Sequence, residues 1–323
     1  MRSTPDAHRD AEFELVVSTR RTVADRVCVL TLSRPDGSAL PRWSPGAHID
    51  LVLGAGLVRQ YSLCGDPHDA ASWQVAVLLE EQSRGGSATV HRELTAGTSV
   101  RARGPRNHFP LVSAPRYLFV AGGIGIAPLV PMVATADSAG ADWRLVYGGR
   151  RRSAMAFADT LAESYDDKVH VLPEDETGLL PLESVVRAAD DSTAIYCCGP
   201  ASLITEVEKL HADAGKGTLH VERFGPQAAV EPEGRGTFEV EAARSGTVVT
   251  VGPDTTVLEA LRSAGVDVLS ACTEGICGTC EVKVLAGTPE HRDSILTEQE
   301  RAAGDTMFVC VSRCLSRRLL LDV

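Results

Sequence analysis

The sequence contains no run of about eighteen apolar residues, so it predicts no membrane-spanning helix. Its first residues, Met1-Arg2-Ser3-Thr4-Pro5-Asp6, lack the apolar stretch of a secretory signal, and a cytoplasmic location is the expectation. Aromatic residues are few, at 5%. Basic residues are in deficit: 32 Lys and Arg stand against 43 Asp and Glu, a formal charge of −11. A nucleic-acid binder shows the opposite balance. Neither nucleic acid nor membrane is expected as a partner, and a monomer is expected. No internal repeat or low-complexity tract is visible. The acidic excess lies beyond residue 112, and it reads equally as plain solubility or as a charged docking face.

With 323 residues and a 44% hydrophobic fraction, the chain can build two or three packed domains. The first third reads as antiparallel β: Phe13–Val17, Val27–Leu32, His48–Leu53, Val58–Leu63 and Trp73–Leu79 are short apolar or alternating runs. Such spacing suggests a barrel, with one helix over Ala88–Leu94. The middle third alternates strand and helix. Tyr117–Ala121, Arg144–Tyr147, Val169–Leu172, Ala194–Cys198 and Leu219–Arg223 read as strands. Helical patterns begin at Pro128 and cover Ala154–Ala162, Leu182–Ala189 and Ser202–Ala212. This predicts an α/β doubly wound parallel sheet. Gly225–Gly236 is rich in Gly, Pro and Glu and reads as a linker. The remainder is a compact α+β segment, with strands over Phe238–Ala242, Val248–Val251, Glu281–Leu285 and Leu319–Val323 and a helix over Val257–Ala264. The predicted domains are 1–112, 113–225 and 237–323, joined by a linker at 226–236.

The chain has nine cysteines. Their clustering suits metal or redox chemistry better than a disulfide framework. Cys272-Thr-Glu-Gly-Ile-Cys277-Gly-Thr-Cys280, with Cys310 after 29 further residues, has the C-x₄-C-x₂-C…C spacing of plant-type [2Fe–2S] ferredoxins. Gly275 and Gly278 allow the loop to bend closely around a cluster. The competing readings are a zinc site, which more often uses two separated C-x₂-C pairs, and buried free thiols. Cys314, four residues beyond Cys310, would share its face on a strand.

Two further motifs suit a flavin. Arg59-Gln60-Tyr61-Ser62-Leu63 ends a strand and offers a phosphate fork, an aromatic face and a hydroxyl. Ser83-Arg84-Gly85-Gly86-Ser87 precedes a helix and offers free amides to an anion. Ser87 is equally readable as a helix cap. A nicotinamide site is suggested by Ala121-Gly122-Gly123-Ile124-Gly125-Ile126-Ala127-Pro128, which follows a strand and opens a helix. Tyr147-Gly148-Gly149-Arg150 and Cys197-Cys198-Gly199-Pro200 end two more strands. Cys198 reads either as a residue at the nicotinamide or as a small buried one. Glu174-Asp175-Glu176 would repel a 2′-phosphate and favour NADH, whereas Arg150, Arg151 and Arg152 could accept it.

Together these residues resemble the phthalate dioxygenase reductase family, including the vanillate O-demethylase reductases, from about Phe13 to Val323. The order of flavin barrel, nicotinamide domain and C-terminal β-grasp ferredoxin is part of that resemblance. It implies FMN bound by Arg59, Tyr61, Ser62, Gly85, Gly86 and Ser87. Phe224 matches the family's aromatic residue near the flavin, although on its own it reads as an ordinary core Phe. The resemblance further implies a nicotinamide site of Gly122, Gly123, Gly125, Pro128, Cys198, Gly199 and Pro200, and a cluster held by Cys272, Cys277, Cys280 and Cys310, not Cys314. Ser62 and Cys198 would position the reacting edge, not act as nucleophiles. The implied activity is an NADH-dependent oxidoreductase, with NADPH the lesser candidate. It would send single electrons through [2Fe–2S] to a terminal oxygenase, a Rieske non-haem iron enzyme of aromatic catabolism. A cytochrome P450 partner and a flavin-free iron–sulfur carrier are the alternatives. A cluster-switched regulator would need a binding module that the acidic composition does not supply.

Overall fold

The computed structural model describes residues 12–54, 57–81, 85–225 and 236–323. Ser83 and Arg84, and the stretch 226–235 of the expected linker, lie outside the described residues. The chain divides into two compact units, one ending at Phe224 and one beginning at Gly225. Among the described residues, no helix is long and apolar enough to cross a membrane.

The first unit opens with a six-stranded antiparallel sheet. Its strands are β1 (Glu12–Ala24), β2 (Val27–Ser33), β3 (Ala47–Val52), β4 (Val58–Ser62), β5 (Trp73–Leu78) and, after helix α1 (Gly86–Glu93), β6 (Ser99–Asn107). The order is β4-β3-β6-β1-β2-β5. A bridge between Leu63 and Val75, with the Cys64 amide donating to the Gln74 carbonyl at 2.9 Å, closes the sheet into a barrel. Alternation does the work here: Leu15, Val17, Leu30, Leu32, Ile49, Leu51, Val75 and Val77 fill the interior. β6 is a strand the sequence did not announce. Its buried positions are Val100, Ala102, Gly104 and Arg106, so the large apolar residues that mark the other strands are missing.

The same unit continues with a five-stranded parallel sheet. Its elements are β7 (Arg116–Gly122), α2 (Leu129–Ser138), β8 (Asp142–Gly149), α3 (Ala158–Tyr165), β9 (Val169–Pro173), α4 (Glu174–Thr177), α5 (Leu182–Arg187), β10 (Thr193–Cys198), α6 (Ala201–Ala214) and β11 (Thr218–Glu222). The order β11-β10-β7-β8-β9 reverses between β7 and β10. A ligand crevice forms outside the carboxyl ends at such a switch point. Apolar residues of α2 and α3 cover one face, and those of α5 and α6 the other. The helix expected over Ala154–Ala162 starts later, because Phe157 takes a left-handed conformation (φ 63°) and restarts the chain at Ala158. Val27, Val29 and Cys64 of the barrel side pack with Ala127 and Ala156 of the sheet side. The Asp25 amide also donates to the Ser153 carbonyl at 2.7 Å.

The second unit has β12 (Phe238–Ala242), β13 (Thr247–Val251), α7 (Val257–Ser263), β14 (Glu281–Ala286), β15 (Pro289–Glu290), α8 (Glu298–Ala303), β16 (Thr306–Phe308), β17 (Arg313–Cys314) and β18 (Arg318–Leu321). Its mixed sheet runs β13-β12-β18-β14-β16, with β12 and β18 parallel. α7 begins with a capping box between Thr256 and Glu259 and buries Val257, Leu258 and Leu261 against the sheet. This is the α+β β-grasp arrangement. The long loop from α7 to β14 carries three of the cysteines.

Candidate functional site

The carboxyl ends of β4, β10 and β11 bring three side chains together. Ser62, the last residue of β4, is buried, and its hydroxyl donates to Glu222 Oε2 at 3.4 Å. Cys198, the last residue of β10, has its Sγ 4.0 Å from the same oxygen. The parallel register pairs Cys198 with Glu222, which fixes that neighbourhood. Burial pushes the Glu222 carboxyl up to about 8, against the smaller opposing effect of the Ser62 hydrogen bond. Near neutrality it holds its proton. Burial, and then the Glu222 charge, push the Cys198 thiol well above its ordinary value. A thiol held neutral is a poor nucleophile, so Cys198 is suited to positioning. Glu222 is the residue to which the sequence reading gave no role; it lies 160 positions from Ser62, and only the register of β10 on β11 could have flagged it.

Around that point the glycines are small for a reason. A Cβ on Gly122 would lie 2.6 Å from Pro200 Cδ, and one on Gly125 would lie 2.3 Å from the Cys198 carbonyl oxygen. Gly122, Gly125, Cys198, Gly199 and Pro200 therefore form one close-packed edge across the switch point. Gly123 has φ 54° with open space beside it. Pro128 caps α2, whose first residue is Leu129.

A second cradle lies at the start of α1. Gly85 is its left-handed N-cap, and Gly86 and Ser87 form the first turn. The Arg59 side chain from β4 lies across Gly86, where an added Cβ would come 2.4 Å from its Cγ. An arginine beside a helix start is an arrangement that suits a phosphate. The Ser87 hydroxyl accepts from the Glu80 amide at 3.1 Å, which ties α1 to the end of β5. Tyr61 is half-buried and packs against the barrel core. Phe224 is 43% exposed, two residues past Glu222, so the core reading of this Phe does not hold.

In the second unit four thiols form two pairs. Cys277 is drawn down to about 6, chiefly by a hydrogen bond from Cys272, whose own thiol is raised. Cys310 is lowered in the same way by Cys280. The Glu274 amide points at Cys272 Sγ (3.3 Å), and the Cys272 amide at Cys277 Sγ (3.5 Å). Gly275 (φ 69°) sits where a Cβ would strike Val311 and Asp293, so the loop closes only with glycine there. Cys314 is turned aside, its thiol donating to the Ser316 carbonyl at 2.9 Å. Among the described residues, no three His, Cys, Asp or Glu side chains converge on one ion position. Two thiol pairs are the donor set that two irons require.

Residues 240–315 match the family model described as a 2Fe-2S iron-sulfur cluster binding domain. The chain is 41% identical over 302 residues to the phenoxybenzoate dioxygenase subunit beta of Ectopseudomonas oleovorans, covering 93% of this chain and 94% of that one. The solved phthalate dioxygenase reductase, described as a modular structure for electron transfer from pyridine nucleotides to [2Fe–2S], superposes with a TM-score of 0.71. It is 32% identical, with 97% of this chain and 98% of that one covered. An intact type IV self-sufficient cytochrome P450 monooxygenase superposes with a TM-score of 0.91 at 44% identity. All of this chain is covered there, but only 43% of the P450 chain, so the chain spans less than half of that protein.

Proposed function

Because the chain belongs to the phthalate dioxygenase reductase family of oxygenase reductases, we propose that it oxidises NADH at a bound FMN and sends the electrons singly through a [2Fe–2S] cluster to a terminal oxygenase. The observation that carries this reading is the Ser62–Glu222 contact. It joins the end of the predicted flavin strand to the end of a nicotinamide-sheet strand, at the switch point. The three modules are assigned as 1–112 for FMN, 113–225 for NAD and 237–323 for the cluster, with 226–236 linking them.

The residues present fit each group. Arg59, Gly85, Gly86 and Ser87 would hold the flavin phosphate, with Tyr61 and Phe224 beside the ring. Gly122, Gly123, Gly125, Pro128, Gly199 and Pro200 let a dinucleotide approach the backbone. Cys272 and Cys277 would hold one iron, and Cys280 and Cys310 the other. When bound, these groups supply hydride acceptance and one-electron transfer. The protein supplies the rest. Ser62 presents a hydroxyl at the reacting edge. Cys198 fixes the nicotinamide's distance through an uncharged thiol. Glu222, holding its proton near neutrality, orients the Ser62 hydroxyl without adding a negative charge that would repel hydride. Ser62 and Cys198 are buried and Glu222 is half-buried beside them, which limits water at the point of transfer.

Coenzyme choice follows from α4. Glu174, Asp175 and Glu176 stand at the end of β9, with the Asp175 amide on the Arg150 carbonyl at 3.3 Å. Arg152 is drawn to Asp159 at 2.7 Å. The acidic turn disfavours a 2′-phosphate. For the partner, a Rieske non-haem iron oxygenase acting on an aromatic compound is the first reading. The similarity to the P450 favours a haem oxygenase as the second.

The test is an anaerobic NADH titration of the purified protein, with chromatography of the released flavin. FMN and [2Fe–2S] in equal amounts, both bleached by NADH faster than by NADPH, are expected. Protein that holds zinc and no flavin overturns the reading.

A further inference from the structure

One buried base next to this site has no task in the reaction as derived so far. His48, on β3, is 1% exposed, and neither ring nitrogen has a hydrogen-bond partner. A buried imidazole left without partners is costly, so its retention calls for a cause. Its place in the sheet supplies one. The register pairs His48 directly with Ser62. The Leu63 amide donates to the Ala47 carbonyl at 2.8 Å, which makes 47/63 a hydrogen-bonded pair and 48/62 the adjacent non-hydrogen-bonded one. In such pairs the side chains lie on one face and at their closest. His48 is therefore the cross-strand neighbour of the hydroxyl that contacts Glu222. On its other side it stacks on His108, with ring centroids 5.5 Å apart and 25° between planes. His108 is only half-buried.

The chemistry needs a proton exit at this point. NADH becomes NAD⁺ by giving up two electrons and one proton. The electrons leave one at a time through iron, and the proton must leave the buried site for water. We propose that His48 takes this proton through the Ser62 hydroxyl and releases it to solvent on the side where the half-buried His108 stacks on it. The hydroxyl, which donates to Glu222 at rest, turns to give its own proton to the accepting imidazole nitrogen and takes one from the reacting edge, so it ends unchanged; the imidazolium then loses its proton to water. This rests on the function proposed above. Glu222 is the rival acceptor, but a carboxyl that already holds its proton near neutrality donates better than it accepts. His48 is kept neutral by burial, then by the charges of Arg106 and His108, and so keeps one ring nitrogen able to accept a proton. The other titratable groups near it are Asp50 of β3, paired with Arg106 of β6 at 2.6 Å, and Glu222 of β11, which contacts Ser62. Burial and the Arg106 charge both disfavour the imidazolium, so the proton is not trapped on the ring.

The experiment uses oxidised full-length holoprotein and three variants: His48→Phe, which keeps a ring against His108, His48→Gln and Glu222→Gln. Imidazole NMR is expected to find His48 uncharged around neutral pH; a charged ring overturns the relay. Stopped-flow mixing with NADH and excess cytochrome c separates flavin bleaching from reoxidation, and an indicator dye times proton release. His48→Phe should leave bleaching within about twofold. It should slow reoxidation and proton release by about 100-fold, the low end for a positioned proton acceptor, with partial rescue by added imidazole. His48→Gln should show the same defect. Release that is unchanged in both variants, or lost instead in Glu222→Gln, overturns the proposal. A wild-type protein that NADH does not bleach overturns the function itself, a different outcome from a relay defect.

Discussion

Glu222 shows how a single carboxyl reports on its surroundings. Its ordinary value of 4.5 is raised to about 8 by burial at the end of β11. The folded protein thus keeps a proton that the unfolded chain has already released over that interval. Stability from this group is fully present below about 4.5 and is lost as pH rises towards about 8. The three tryptophans, Trp43, Trp73 and Trp143, all lie in the first unit, so their fluorescence follows its unfolding alone. Denaturant unfolding of flavin-free protein should show the wild type losing more stability than Glu222→Gln between about pH 5 and pH 8. The difference should be on the order of a few kcal/mol. Parallel profiles would mean that Glu222 is ionised in the fold. Ser62 and Cys198 were legible because each sits in a local motif that ends a strand. Glu222 and His48 were not, because each acquires its meaning from a residue on another strand: Cys198 in one case, Ser62 in the other.

At the scale of elements, the turn after β7 is tested by two glycines that look alike in sequence. Gly125 presses on backbone at the end of β10: an added Cβ would lie 2.3 Å from the Cys198 carbonyl oxygen and 2.6 Å from the Gly199 nitrogen. Backbone cannot swing aside as a side chain can. Gly125→Ala should cost about 2–3 kcal/mol in thermal unfolding followed by tryptophan fluorescence, and it should abolish bleaching by NADH. Gly123→Ala meets open space and only the strain of φ 54°, so about 1 kcal/mol and retained bleaching are expected. Equal effects would mean that the turn does not dock on β10. The strands that the sequence announced, such as Tyr117–Ala121 and Ala194–Cys198, are apolar runs buried on both faces. β6 escaped because Gly104 and Arg106 occupy inward positions there, and α3 began late because Phe157 adopts a conformation that a helical pattern does not encode. Barrel closure at Leu63 and Val75 is a long-range pairing that no local period carries.

For the whole molecule, the order of barrel, parallel sheet and cluster unit could be read from motif spacing, since each motif is confined to a short stretch of chain. Among the described residues, the buried core of the second unit is built from Phe238 to Leu321. Damage to its iron ligands should therefore leave hydride chemistry in the first unit intact. Cys310 is buried and paired with Cys280, whereas Cys314 points its thiol at the Ser316 carbonyl. Cys310→Ser should lose the cluster's visible absorbance and electron paramagnetic resonance signal, keep NADH bleaching of the flavin within about twofold, and fail to reduce the oxygenase. Cys314→Ser should keep all three properties. The contrast separates two ways of failing. If Cys310→Ser also stopped flavin bleaching, the units would not be energetically independent. If Cys314→Ser alone removed the iron, the pairing of Cys280 with Cys310 would not be the one that holds the second iron. A reductase that converts a two-electron donor into single electrons needs its two halves to be separable in this way, because hydride transfer must finish at one centre before the other passes its electron on.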